Sequence, residues 1–586
     1  VSPYLVAVVA FANQWLYENG VLCYLRGLEL RILDLHHSEK TEIVVDFQKL
    51  MCEILAESPP RTTFDLQLLH YSHGIVSCTY SIPDAIPYSV YPRRHSDCTH
   101  RLLVFNPVEG QIITIRRLQS VSRLFIRNND RFLYYGTTSE PDHDGYEQWI
   151  ICGFDIAAGR WLDHQLDIPE VIGTDIGSTV CFEIFDDYFY VLSNQRSLDV
   201  EELDWLSYYT CFRFPLARDG FRRVKEPPRE QLWRRDHTEG PIDDRWTFLR
   251  LVRDEVTGHF KAVESRREWL NGRISGRRTY YTTPIRFNDA GKYAKEHHPM
   301  ADTASCTAAA KIQQGGAASK RARDPHAVHP GDDNSVVAAT LAKCAIRSYY
   351  PSSQTSIDVV DVSTTFDPAD RKLRLRGNTR RLWTPAELAE RNYLPAAERS
   401  QDQDAFLRQI DDLYRSEYGV LWPPEQDPSA PDPALADLHA ILNPPGHLGG
   451  LQGSWDERSM VYTTGTTVGG LRALVFVSWD PSIYLPGTAP YPGSSSLGRA
   501  GNWTDGNPMA VSTPPAAKTA GEGKGKDIDT TERHPTLQPD ATLCAGGGFT
   551  SPESCLSGGR GASLVSWTTF EPAQYCKISQ GYHFAR

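Results

Sequence analysis

The chain has 586 residues, 40% hydrophobic and 11% aromatic, enough to bury a large core. Against 61 basic residues stand 73 acidic ones, a formal charge of -12, which argues against a broad nucleic-acid or anionic-membrane surface, because such surfaces need a basic field. No stretch reaches the ~18 apolar residues of a membrane-spanning helix. The early apolar run Leu5 to Phe11 has no basic residue before it and makes a poor signal peptide. The first residue is Val1 rather than Met, so an upstream segment is expected.

Taken in order, the chain repeats itself. Apolar strand-like runs open at Gly20, Gly74, Arg131, Tyr188 and Trp246, at steps of 54, 57, 57 and 58 residues. A second apolar run follows the first four: Leu30–Leu35, Arg101–Asn106, Trp149–Asp155 and Tyr209–Pro215. Turns with Gly110, Gly159 and Gly220 close the last three, and glycine supplies the positive φ that short hairpins need. The fifth copy reads as compressed: Leu249 to Asp254 with Gly258 takes the place of the second hairpin, so the Trp246 strand serves twice. Aromatic and β-branched residues dominate these runs, which is strand chemistry. Strand-rich units at this spacing are the mark of β-propeller blades, and a β-sandwich would not explain the constant step. The expected fold is therefore mainly β: a β-propeller-like repeat domain closed by a C-terminal strand, with a few helices in an insertion.

Composition divides the chain into repeats over 1–295, a flexible insertion over 296–340, strands and helices completing the domain over 341–485, a disordered low-complexity segment over 486–561, and a closing segment over 562–586. Within the third part Thr355–Asp361 reads as a strand, and Thr384-Pro385-x-Glu387 as a helix start. Phe406, Ile410, Leu413 and Tyr414 lie at helical spacing, and Leu435 to Leu442 makes a short helix. The final strand near the C-terminus would pair with Tyr4–Val9 to close the ring.

No P-loop, Gly-x-Ser-x-Gly elbow or His-Glu-x-x-His is present. The 12 cysteines are scattered, without C-x-x-C or zinc-finger spacing, and several sit in apolar runs. They read as buried free thiols of a reducing compartment, which gives a cytoplasmic or nuclear location. His36-His37 reads as a turn-surface pair, and Asp142-His143-Asp144 as ordinary loop polarity. Lys372-Leu-Arg-Leu-Arg376 reads as a strand with one solvated face. No catalytic residue, metal ligand or cofactor is expected. The dense polar segment between two repeats is the candidate partner-binding site, since loops on a rigid scaffold collect binding residues. It comprises Arg234, Arg235, His237, Glu239, Asp243, Asp244 and Arg245.

Several runs carry a resemblance: Gly20–Leu25, Arg127–Asp130, Asp175–Ser178, Cys181–Ile184, Cys211–Leu216, Glu239–Trp246 and Arg278–Thr283, and later Trp422–Pro428, Leu442–Pro445, Asp456–Ser459 and Gly581–Phe584. Together they resemble a family of filamentous-fungal F-box domain proteins, over roughly 3–286, 345–485 and 563–586. The resemblance implies a module that recruits a protein substrate, of unknown identity, to a Skp-cullin ubiquitin ligase. In the family the F-box lies N-terminal to this region. The Leu-Pro-x-Glu pattern is absent here, and the nearest helical candidate, Phe47–Leu55, falls inside the first repeat. A Skp-type adaptor is thus expected to bind only through an F-box absent from this chain. The expectation is a non-enzymatic recognition module. A propeller scaffold unrelated to ubiquitin, or a propeller-fold hydrolase, is the competing reading.

Overall fold

The computed structural model describes residues 2–55, 64–83, 98–141, 143, 147–163, 165–168, 171, 173–195, 206–216, 230–236, 248–254, 257–270, 273–285, 344–363, 372–382, 414–444, 451–466, 470–492 and 566–584. Residues 1–494 and 565–586 form one compact unit; the second unit, 495–564, lies outside the described residues, as does 296–340.

The first unit is a seven-bladed β-propeller of antiparallel sheets. Blade one comprises β2 (Gln14–Glu18), β3 (Val21–Arg26), β4 (Glu29–Asp34) and β5 (Thr41–Asp46), and blade two β6 (Asp65–Ser72), β7 (Ile75–Pro83), β8 (Cys98–Asn106) and β9 (Gln111–Arg117). Blade three holds β10 (Phe125–Asn128), β11 (Phe132–Thr138), β12 (Trp149–Asp155), β13 (Arg160–Trp161) and β14 (Leu166–Ile168). Blade four holds β15 (Val180–Phe185), β16 (Tyr188–Ser193), β17 (Leu206–Pro215) and β18 (Glu230–Asp236), and blade five β19 (Phe248–Arg253), β20 (Phe260–Leu270) and β21 (Arg273–Ile285). Blade six holds β22 (Cys344–Tyr350), β23 (Thr355–Asp361), β24 (Leu373–Leu382) and β25 (Tyr414–Trp422). Blade seven joins β26 (Gln452–Trp455), β27 (Ser459–Thr466) and β28 (Arg472–Ser478) to the N-terminal strand β1 (Leu5–Ala12).

The first strands of the blades are the innermost. β2 touches β6, β6 touches β10, β10 touches β15, β15 touches β19, β22 touches β26 and β26 returns to β2. Stacked Tyr280 and Tyr349 rings, 4.3 Å apart, join blades five and six. Large aromatic side chains fill the spaces between blades: Phe125 and Phe182 stack at 3.9 Å, with Trp149 wedged against both.

The sequence repeat is the first hairpin of each blade. Asn19-Gly20 and His73-Gly74 both take positive φ, the two-residue turn that suits twisted strands. Strands follow at Val21, Ile75, Phe132 and Tyr188, as the spacing predicts. The fifth copy is out of phase: β19 is the innermost strand of blade five, so its turn at Gly258 closes a first hairpin rather than a second. First and second hairpins both use turn glycines, at Gly20, Gly74 and Gly258 and at Gly110 and Gly159, so spacing alone could not tell one hairpin from the next.

Three helices are present among the described residues: α1 (Phe47–Leu55), α2 (Pro433–Leu442) and α3 (Tyr575–Ile578). The Asp432 side chain caps α2 by accepting from Ala434 N, with Pro433 in the first turn. Tyr414, placed by its spacing at the end of a helix, instead opens β25, where the ladder with β24 decides its state; Phe406, Ile410 and Leu413 lie outside the described residues, as does Thr384–Glu387. Strand β24 matches the expectation except on its solvated face. Arg374 is buried, donating through Nε to Pro423 O at 2.7 Å.

Both chain ends seal the ring. β1 lies between β28 and β31 (Gly581–His583), with Leu5 opposite Ser478 on one side and His583 on the other. β1 is paired along both edges and buried on both faces, which accounts for the unbroken apolar run Leu5–Ala10. Before β31 the C-terminal segment adds β30 (Thr568–Pro572) to the outer edge of blade one, opposite β5. The segment therefore bridges the first and last blades. Its anchor is Trp567, 1% exposed, edge-on to Phe105 of blade two at 5.8 Å, while Phe105 meets Phe47 of α1 at 5.9 Å. Below it, the fully buried Glu42 carboxylate accepts from Tyr24 Oη at 2.7 Å, Arg31 Nη1 at 2.9 Å and Gln574 N at 3.0 Å, and Arg31 also pairs with Glu571. Burial and then Glu42 push the Tyr24 phenol up, so it stays a donor.

Trp567→Ala should destabilise the propeller by about 3–5 kcal/mol, the usual cost of emptying a buried aromatic site. Denaturant unfolding of the full chain measures it. A midpoint equal to that of the wild type would show that the C-terminal segment does not share the cooperative core.

Candidate functional site

Charge on the innermost strands of a propeller gathers around its axis. Besides Asp65, which opens β6, and Arg253, which closes β19, these strands carry, among the described residues, Glu18 (the last residue of β2), His70, Arg127, Glu183, Arg250 and Arg347. They come from blades one to six in turn. His70 Nδ1 lies 3.0 Å from Glu18 Oε2, joining blades one and two. Arg127 Nε lies 3.2 Å from Glu183 Oε2, joining blades three and four. Arg250 of blade five donates to Trp455 O of blade seven at 3.3 Å, and its guanidinium lies 5.3 Å from the Trp455 ring centre. Phe248 and Trp455 rings pack at 5.4 Å beside it.

The electrostatics show that these groups share one space. Desolvation alone would raise the Glu18 carboxyl, yet His70, and then Arg127 and Arg250, hold it below the ordinary value of 4.5. Two arginines and a histidine from three other blades thus act on one carboxylate, although 37% of that side chain remains exposed. Desolvation opposes the charge on Arg127, but Glu183 and Glu18 outweigh it and raise its pKa. Between partly buried charges such as these, electrostatic contacts count for more than at an open surface.

A second polar cluster sits in the seam between blades seven and one. His36 Nε2 lies 2.9 Å from Ser459 Oγ and 3.2 Å from Asp456 Oδ2, the latter an electrostatic contact without hydrogen-bond geometry. Tyr17 Oη lies 2.5 Å from Ser459 Oγ. The residue types are those of an acyl-transfer triad, but the connectivity is not. A triad places its carboxylate on Nδ1 and its serine on Nε2, whereas both partners here share Nε2. Ser459 is also fully buried. Asp456 Oδ1 is occupied by Arg458 N at 2.8 Å and Ser459 N at 2.9 Å. The cluster is a latch across the closing seam. Gly20 completes it: a Cβ there would lie 2.2 Å from the His36 ring. His36-His37 is therefore only half a surface pair. His37 is exposed and held by Asp34 at 2.7 Å, while His36 is drawn into the seam.

The polar segment singled out in the sequence falls largely outside the described residues. Arg234 and Arg235 lie on β18, with only their backbone described; His237, Glu239, Asp243, Asp244 and Arg245 lie outside the described residues. Asp142 and Asp144 lie outside them too, and His143 is exposed. The residues of the collar were missed because each stands alone in its own strand, between 52 and 97 residues from the next, with no local spacing to betray it. The available signal was a charged residue inside an otherwise apolar strand, as in Cys181-Phe-Glu-Ile184. No group of three or more His, Cys, Asp or Glu suited to a metal occurs among the described residues.

No family model and no curated protein matches the chain. Among solved structures it is similar to Bacteroides ovatus xyloglucan PUL GH43B, at 12% identity and TM-score 0.21, covering 50% of this chain and 56% of that one. It is similar to the WD40 domain of SCAP from fission yeast, at 8% identity and TM-score 0.30, covering 82% and 99%. It is also similar to Trypanosoma rangeli sialidase, at 9% identity and TM-score 0.25, covering 82% and 60%. The chain spans little more than half the length of the first of these. The expectation of a non-enzymatic chain is corrected here: similar solved structures are mostly glycoside hydrolases rather than binding modules. A β-propeller hosts enzymes and binding domains alike, so the absence of a catalytic motif in the sequence did not license excluding catalysis.

Two outcomes follow from the geometry. Ser459 should stay unlabelled by a fluorophosphonate that modifies activated serines, read by mass spectrometry of the folded chain; its modification would overturn the latch. Glu18, depressed in the folded state, contributes stability that is full above the unfolded value of 4.5 and is lost as pH falls through the folded pKa. Glu18→Gln should therefore melt below the wild type at neutral pH, and the two melting temperatures should converge in acid. A gap independent of pH would show that the carboxylate is not held by cations.

Proposed function

We propose that this chain is a protein-recognition propeller, the substrate-recruiting region of an F-box protein acting with a Skp-cullin ubiquitin ligase in the cytoplasm or nucleus. The observation that carries recognition is the sealed seven-bladed ring, with charged side chains from successive blades gathered at its axis. Such a ring is a rigid platform, and rigid scaffolds with variable loops are where binding residues concentrate. The F-box assignment rests on the resemblance in sequence. Helix α1 supports assigning adaptor contact to another segment: Phe47, Leu50 and Met51 are buried in the core with Trp567, so this helix has no free apolar face for a Skp-type adaptor. The intracellular location is supported by free buried thiols at Cys23, Cys78, Cys181 and Cys211, which burial pushes up, Cys211 to about 12.

The test fuses the full chain behind an active F-box and follows protein turnover in cells. The expected outcome is at least one protein that binds the chain directly, gains ubiquitin and turns over faster only when the F-box is intact. Bound proteins whose turnover is unchanged would overturn the ligase role and leave a scaffold.

A further inference from the structure

The axial collar has an unusual balance for this protein. The chain carries a formal charge of -12, yet its innermost strands hold, among the described residues, Arg127, Arg250, Arg253, Arg347 and His70 against Glu18, Asp65 and Glu183. Glu183 is engaged by Arg127 and Glu18 by His70. Among the described residues Arg250 forms no ion pair at contact distance; it acts on Glu18 from farther off and meets one carbonyl and the Trp455 and Phe248 rings. His70 is 4% exposed, and its Nε2 is buried without a hydrogen-bond partner among the described residues. A buried polar atom left unpaired costs free energy that a bound group can recover. The half-buried Arg250 guanidinium, flanked by aromatic rings, is partly desolvated and held in place for a planar acceptor. We propose that the channel binds a carboxylate group of the ligand, anchored by Arg250 beside Trp455, with His70 as a second polar contact and Glu18 as the competing internal anion. The depressed titration of Glu18 agrees, because it reports positive potential in that space. The inference rests on the recognition reading for the source of the carboxylate, an acidic segment of a protein; a free small carboxylate offers the same chemistry.

Calorimetric titration of the full chain tests it with three probes: an Asp/Glu-rich peptide blocked at both ends, its Asn/Gln counterpart, and citrate. The acidic peptide should bind and the amide peptide should not. Arg250→Gln should weaken binding at least tenfold with an unchanged melting temperature. Glu18→Gln should act in the opposite direction and tighten binding several-fold, because the competing anion is gone. Loss of structure cannot produce that gain, so this variant decides the matter if Arg250→Gln fails to fold. Citrate binding alone, with the same response to both variants, would keep the carboxylate site and assign it to a small molecule. No binding by either anion, or affinities indifferent to both variants, would overturn the site. If turnover of a bound protein persists in Arg250→Gln, recruitment stands and the channel site falls; if carboxylates bind but no protein is recruited, the reverse holds.

Discussion

The structure depends on the pairing of the two chain ends in one sheet. A ring of blades has no stable intermediate between open and closed, because an open ring leaves two blade faces and two strand edges in water. Here β28 of the last blade accepts β1 from the N-terminus, and β1 in turn accepts β31 from the C-terminus. The residues most remote in sequence thus share one ladder. Stability gained in blades one to six is retained only if that ladder forms, so cooperativity of the whole ring is concentrated in a few apolar residues of β1.

The seam is reinforced in two different ways. Apolar packing joins Leu22, Leu33 and Leu35 of blade one to Leu5, Val461 and Phe476 of blade seven. Polar contacts then fix the register. The Glu42 carboxylate is fully buried but receives three donors, from Tyr24, Arg31 and Gln574. Burying a charge is tolerable only under such complete pairing. The Tyr17–His36–Asp456–Ser459 latch does the same on the facing blade. Its shared imidazole nitrogen distinguishes a structural clasp from a catalytic relay, a distinction of connectivity that residue types alone do not carry.

A sealed ring frees its axis for function. The blades hold their innermost strands in fixed neighbourhood, so Glu18, His70, Arg127, Glu183 and Arg250 converge without any of them being close in sequence. Strongly coupled charges held by a rigid scaffold need no reorganisation when a ligand enters, which is how a static frame lowers the cost of binding. The same geometry serves enzymes and recognition domains, and the chemistry on the axis separates them.

The sequence by itself determined the blades. The spacing from Gly20 to Tyr188, the turn glycines and the aromatic strands specify local hairpins, because strand alternation and positive-φ turns are encoded within a few residues. It also determined α2 through Asp432, Pro433 and the apolar face of Leu435 to Leu442. Only the tertiary structure decided that the blades number seven, that the Phe248 strand is innermost, that Tyr414 extends rather than coils, and that His36 turns inward while His37 does not. The axial collar belongs wholly to that second class. Each of its residues is one charge in one strand, and only closure of the ring brings them within reach of one another.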